Sequence, residues 1–120
     1  MRASNPAQVI LVVEDEWVVR SLIVDELRDA GWEVLEAGSA ESAFEHLRQA
    51  GPRILVLFTD IQLAGGLCGW DVADAFRSLH PQGTVIYASG NTIDRRRQVD
   101  GASFFSKPYR AGDILAACSG

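Results

Sequence analysis

Long apolar runs are missing from this sequence. No window comes near the roughly 18 consecutive residues that a membrane-spanning helix requires, and Met1 to Gln8 lacks the apolar segment of a secretory leader. A cytoplasmic place is therefore expected. Cysteine is scarce as well. Cys68 and Cys118 stand far apart, with no CxxC and no histidine at ligand spacing, so they are read as reduced thiols and not as a disulfide or a metal site. Positive charge is in deficit, 11 Lys and Arg against 16 Asp and Glu, for a net charge of −5. That sign argues against unspecific binding to nucleic acid or to an anionic membrane, both of which want a basic surface. Lysine is almost absent: ten arginines accompany the single Lys107. Repeats, linkers and low-complexity tracts are lacking too, and 120 residues make one domain with a real core.

What is present is a set of short, continuous apolar stretches, in a chain 48% hydrophobic and 22% charged, the balance of a globular protein. Ile54 to Phe58 runs straight into Thr59-Asp60. The run is too uniformly apolar for a strand with one wet face, and reads as a buried strand of a parallel sheet covered by helices on both sides. Val9 to Val13 is a second such run and ends in Glu14-Asp15-Glu16. Thr84 to Ala88 leads into Ser89-Gly90, and Ser103 to Ser106 enters Lys107-Pro108. Trp32 to Ala37 is shorter and flanked by charge, as an edge strand would be.

Helical patterns separate these strands. Val19, Leu22, Ile23, Leu27 and Ala30 form one stripe, closed by Gly31. Ser39 caps a helix carrying Ala43, Phe44 and Leu47, which stops at Gly51-Pro52. A third buries Val72, Ala73, Phe76 and Leu79, and Ile114, Leu115 and Cys118 begin a terminal one. Between Asn91 and Asp100 the only apolar residues are Ile93 and Val99, which allows one or two helical turns at most. Five strands alternating with about five helices give a single parallel sheet between two helical layers. The flavodoxin-like order 2-1-3-4-5 sets strands 1 and 3 side by side at the switch point, where open α/β sheets place their chemistry.

Periodicity thus collects Glu14, Asp15, Asp60, Ser89 and Lys107 at one edge of the sheet. Carboxylates at neighbouring strand ends repel one another unless a cation sits among them. An oxygen-only site with two direct carboxylates suits Mg²⁺, which keeps waters and completes its shell with an anionic substrate. A metal beside a cationic Lys and a hydroxyl is an arrangement for phosphoryl groups, whose charge must be neutralised on the equatorial oxygens. Asp60 is then the natural nucleophile, forming an acyl phosphate. In a chain so rich in arginine, the lone Lys107 marks a place that needs a compact point charge.

Val12-Val13-Glu14-Asp15-Glu16, Thr59-Asp60, Ala88-Ser89-Gly90 and Lys107-Pro108 together resemble the receiver domain of two-component response regulators, over residues 8 to 118 of a single domain spanning 1–120. The resemblance implies a CheY-like fold in which Asp60 accepts a phosphoryl group from a sensor histidine kinase or phosphotransfer protein. It implies Asp15, Asp60 and the backbone carbonyl of Gln62 as Mg²⁺ ligands, Glu14 acting through water, and Ser89 and Lys107 on the phosphoryl oxygens. It further implies that Ser89 moves toward the acyl phosphate, followed by an aromatic residue three before the lysine, here Phe104, and that the Lys107-Pro108 bond is cis. Such a domain is a switch that catalyses only its own phosphorylation and dephosphorylation. With no output domain in the chain, the signal is expected to pass to a separate protein, from a monomer or weak dimer.

The departures from the family pattern are informative. Glu14 replaces the commoner Asp, Ser89 the commoner Thr, and Ala64-Gly65-Gly66 the familiar Pro-Gly turn. Ser89 and Lys107 are closer together than in a typical receiver, so the helix between strands 4 and 5 is expected to be short or missing, as in alphaproteobacterial single-domain receivers. Gln62 and Asn91 occupy the positions that tune dephosphorylation in the family. Arg95-Arg96-Arg97 reads as a solvated face or a surface for an acidic partner. His46 and His80 are not expected to carry phosphate. Trp17, Trp32 and Trp70 are assigned to packing near the edges of the site and sheet, with Trp17 bordering the pocket. Two other readings are a phosphorylation-independent interaction module and a receiver cut from a hybrid kinase. A dehalogenase-like phosphatase would want an Asp where Gln62 stands, and a flavodoxin a phosphate loop where Glu14-Asp15-Glu16 stands.

Overall fold

The computed structural model describes residues 8–90 and 97–118. Continuous apolar runs become strands that are buried on both faces: β1 (Val9–Val13) and β3 (Ile54–Asp60) pair in the middle of the sheet. Around them lie β2 (Glu33–Ala37) and β4 (Thr84–Ser89), with β5 (Ser103–Ser106) outermost. All pairs are parallel and the order is β2-β1-β3-β4-β5, the order expected from the alternation of strands and helices. The helices are α1 (Trp17–Asp29), α2 (Ala40–Ala50), α3 (Gly69–Leu79) and α4 (Ala111–Cys118). The sheet separates two cores. One joins Leu11, Val13, Leu57 and Tyr87 to Leu47 of α2 and Phe76 of α3, and the other joins Ile10, Val12, Phe58 and Ile86 to Ile23 and Leu27 of α1 and Ile114 of α4.

Local chemistry sets the element ends. The Ser39 hydroxyl accepts from the Ser42 backbone N–H at 3.1 Å and caps α2. At α3 the Cys68 N–H donates to Asp71 Oδ2 at 2.9 Å, so the side chain three residues into the helix closes the cap. Gly31, with φ +99°, turns the chain out of α1 in a conformation that other residues rarely adopt.

Several side chains lie elsewhere than their periodicity suggests. In α1 the buried residues are Ile23, Val24 and Leu27, whereas Leu22 is 66% exposed and Ala30 is exposed. The eight-residue α4 covers only part of the sheet beside α1, and Leu22 borders a groove with Val19, Ile23, Pro108 and Tyr109. Leu79 closes α3 half-exposed, resting on Gly51, where a Cβ would stand 3.1 Å from its Cδ1. Leu55 escapes burial because the β1–β3 register shifts there: Val9 faces Ile54 but Ile10 faces Val56. Trp70 is buried with its ring centroid 4.6 Å from that of Tyr87, and Trp32 packs on the second core. Trp17 corrects the expectation of packing, standing 65% exposed at the first position of α1.

Four α-helices occur among the described residues. Between β4 and β5 the described residues, 97–102, contain no α-helix. That strap is tied down by polar contacts instead. Arg97 pairs with Asp71 at 3.3 Å and Asp74 at 2.7 Å, the Val99 N–H donates to the Tyr87 hydroxyl, and Arg77 donates to the Asp100 carbonyl. Asn91, Arg95 and Arg96 lie outside the described residues.

Candidate functional site

The parallel register delivers the chemistry to one edge. Val13 pairs with Thr59, Asp60 with Ala88 and Ser89 with Ser106, so Glu14, Asp60, Ser89 and Lys107 all leave the sheet at the same end. Backbone bonds fix the loops around them. The Glu14 N–H donates to Ala37 O, that of Ile61 to Ala88 O, and that of Lys107 to Ser89 O at 2.8 Å. The Lys107-Pro108 bond is cis.

Lys107 holds the site together. Its Nζ donates to Glu14 Oε1 and to Asp60 Oδ2, both at 2.8 Å. The other carboxylate oxygens are engaged by backbone: Glu14 Oε2 accepts from the Glu16 N–H at 3.1 Å, and Asp60 Oδ1 from the Gln62 N–H at 3.2 Å. Glu14, Asp60 and Ser89 are buried, whereas Asp15 and Gln62 are exposed at the mouth. One oxygen each from Glu14, Asp15 and Asp60 lies within 4.8 Å of the others. This oxygen-only set, one member of it open to solvent, fits a hard divalent cation.

Charge and burial oppose each other here. Burial raises the Glu14 carboxyl above its ordinary range, and the neighbouring Asp60 charge adds to this, although Lys107 and the Glu16 N–H pull it down. Burial also works against the Lys107 ammonium, but hydrogen bonds to Asp60 and Glu14 outweigh it and hold the amine above the usual lysine range. Tyr109 is pushed up to about 12 by burial and by the Glu14 charge. The cationic lysine stands beside the two buried carboxylates, where anionic oxygens could be received.

The residues named from the sequence are thus brought together, Glu14, Asp15, Asp60 and Lys107 most directly. Ser89 ends β4 fully buried. Phe104 sits half-buried on β5, opposite Tyr87 in register, against the first core. His46 meets the Glu36 carbonyl at 2.8 Å and His80 stacks on Phe76, so neither faces the site. Both cysteines are free. Other participants escaped the sequence reading. Arg20 donates from Nη1 to the Glu14 carbonyl at 2.7 Å and from Nε to Glu36 at 3.2 Å. Gly69 lets α3 start against the end of β3: a Cβ there would lie 2.3 Å from the Asp60 carbonyl oxygen. A glycine opening a helix was the available signal for the second; the first had none.

Known proteins carry the same pattern. Residues 10–119 match the family described as response regulator receiver domain. Among curated proteins, the probable transcriptional regulatory protein TcrX of Mycobacterium tuberculosis is 28% identical over 95% of this chain and 49% of its own length. The alkaline phosphatase synthesis transcriptional regulatory protein SphR of Synechococcus elongatus is 27% identical over 97% of this chain and 49% of its own. The chain therefore spans about half the length of these curated relatives. Among solved structures, a response regulator receiver protein from Sinorhizobium medicae superposes with a TM-score of 0.89 at 29% identity, covering 94% of this chain and 92% of that one. It lends support to the likeness with alphaproteobacterial single receivers. The receiver domain of the hybrid histidine kinase CckA gives 0.80 at 29% identity, covering 92% and 95%.

Proposed function

The chain belongs to the response regulator receiver domain family, and from that premise we propose that Asp60 is its phospho-acceptor in two-component signalling. The observation that carries the proposal is Lys107 Nζ placed 2.8 Å from both Glu14 and Asp60, at the ends of three separate strands. In the reaction an Asp60 oxygen attacks the phosphorus of a phosphohistidine. A P–O bond forms, the P–N bond breaks, and the donor imidazole keeps the electron pair and takes up a proton. Hydrolysis of the acyl phosphate later returns Asp60 and inorganic phosphate.

Receiver domains are signalling modules that bind Mg²⁺ at an acidic site. Here Asp15, Asp60 and the Gln62 carbonyl would hold the ion, with Glu14 acting through water. When bound, Mg²⁺ supplies neutralisation of the phosphoryl oxygens. The chain's own groups do the remainder. Lys107 donates to an oxygen of the incoming phosphoryl group, and burial of Asp60 keeps bulk water from the acyl phosphate. The Ser89 hydroxyl takes another phosphoryl oxygen, and Phe104 on the neighbouring strand follows it, changing the surface read by a separate downstream protein. The donor is a sensor histidine kinase or phosphotransfer protein, and two free cysteines favour a cytoplasmic setting. The likeness to the CckA receiver supports a second reading, in which the same switch is part of a hybrid kinase.

Intact mass after incubation with Mg²⁺ and acetyl phosphate tests the proposal. Wild type should gain one phosphoryl mass, and Asp60→Ala none. A phosphorylated Asp60→Ala, or a wild type left unchanged by both acetyl phosphate and beryllofluoride, would sink it.

A further inference from the structure

We infer that Arg20, anchored on Glu36, is a positioning residue for the cation site, so that the outer strand β2 helps to set the affinity for Mg²⁺. The inference rests on the reading that Glu14, Asp15 and Asp60 hold that ion. Glu14 is tied at each of its polar atoms. Its N–H donates to Ala37 O at 3.0 Å, and its carboxylate oxygens accept from Lys107 and from the Glu16 N–H. Its carbonyl accepts from Arg20 Nη1 at 2.7 Å. That carbonyl belongs to the peptide unit leading into Asp15, so its orientation sets the direction in which the Asp15 carboxylate leaves the turn.

The guanidinium is suited to this task because it is planar and its donors diverge. Nε donates to Glu36 Oε1 at 3.2 Å, which fixes the plane, and the side chain is only 21% exposed. Glu36 is steadied in turn by Arg28 Nη2 at 3.5 Å, and its carbonyl by the His46 ring at 2.8 Å. Gly38 leaves the guanidinium its place: a Cβ at that position would stand 3.1 Å from Arg20 Nη1. A clamp thus runs from β2 through Glu36 and Arg20 to the turn that bears two of the three acids.

A purely electrostatic role predicts the opposite behaviour. A cation beside an acidic cluster repels Mg²⁺, so its removal should tighten binding. Loss of a positioning group should weaken binding instead, by about tenfold where outer-shell partners of metal ligands are removed. The sign separates the two.

The test is calorimetric titration of the full chain with MgCl₂, alongside thermal unfolding without metal. Arg20→Gln should bind Mg²⁺ about tenfold more weakly, and Arg20→Lys should recover part of the loss. Arg28→Gln loosens one contact on Glu36 and leaves Arg20 bonded to Glu14, so it should weaken binding less than Arg20→Gln does. Gly38→Ala keeps every charge and crowds the guanidinium only slightly, so it should weaken binding less than Arg20→Gln does, with its Tm unchanged. A Kd for Arg20→Gln equal to or tighter than wild type overturns the inference. Should that variant fail to fold, a wild-type Kd in Arg20→Lys, which keeps the charge and loses the planar fork, overturns it alone. A wild type that binds no Mg²⁺ removes the cation-site reading itself, and the clamp with it.

Discussion

Substituting Gly69 by alanine puts one methyl group where the fold has no room. The new Cβ would stand 2.3 Å from the Asp60 carbonyl oxygen and 2.8 Å from the Ile61 Cα, against 3.4 Å or more for an ordinary contact. Both neighbours are backbone at the end of a central strand, so neither can swing aside. The start of α3 and the end of β3 must separate by about 1 Å, which loosens the Gly69 N–H bond to the Ile61 carbonyl. Such overpacking costs about 1–3 kcal/mol, or a fall in Tm of roughly 4–12 °C for a domain of this size. The same displacement moves the proposed acceptor relative to Lys107 and Asp15. A misplacement of about 1 Å at a reacting group can cost on the order of a hundredfold in rate. The assay is differential scanning fluorimetry beside intact-mass labelling with Mg²⁺ and acetyl phosphate. Gly66→Ala is the control. Its φ of +89° strains any side chain, but nothing lies within 4 Å. It should lose about 1–2 kcal/mol and label at the wild-type rate. A Gly69→Ala protein with wild-type Tm and wild-type labelling would refute the packing argument.

Three further outcomes follow from the same geometry. Lys107→Met leaves Glu14 buried beside Asp60 without a cation, and should cost on the order of 3 kcal/mol at neutral pH in urea unfolding. Because the lysine's pull on Glu14 is then gone, the deficit should shrink as the pH falls into the carboxylate range, and added Mg²⁺ should restore more stability than in wild type. Asp71→Ala removes the cap of α3 and should cost about 0.5–1 kcal/mol. The Cys68 N–H, with Arg97 assisting, holds the Asp71 carboxyl below its ordinary 3.8, so its contribution is present above that pH and fades as the pH falls below it. A difference from wild type that persists undiminished in acid would contradict this. Burial pushes the Cys118 thiol from 9.0 to about 11, so native protein at pH 8 should be alkylated at Cys68 first. The same shift implies that the Cys118 contribution to stability holds below pH 9 and is lost as the pH rises through about 11, which Cys118→Ala should abolish.

The strand ends were legible because strands buried on both faces must be apolar throughout, so each polar residue that ends a run announces the sheet edge. Glu14, Asp60, Ser89 and Lys107 stand out for that reason. Which stripe of a helix faces the core was less legible, since it depends on neighbours far along the chain. Val24 is buried and Leu22 exposed where the short α4 leaves part of the sheet to α1. The exposure of Leu55 follows from a register shift that only pairing with β1 creates. Arg20 and Arg97 were invisible as structural residues for the same reason. Their partners Glu36, Asp71 and Asp74 lie 16 to 26 residues away and meet them only after the crossovers close.

Lys107, clamped between two carboxylates, has a consequence for covalent chemistry. The chain carries a single lysine side chain, and that amine is held protonated, 21% exposed, in two ion pairs. Lysine-directed modification of any kind, whether acylation, cross-linking or conjugation, has no other lysine on which to be spent harmlessly. The ten arginines stay protonated and do not react with such reagents. A lysine adduct on this protein therefore lies in the acidic pocket, and an acyl adduct, which neutralises the nitrogen, strips both carboxylates of their counter-charge at a stroke.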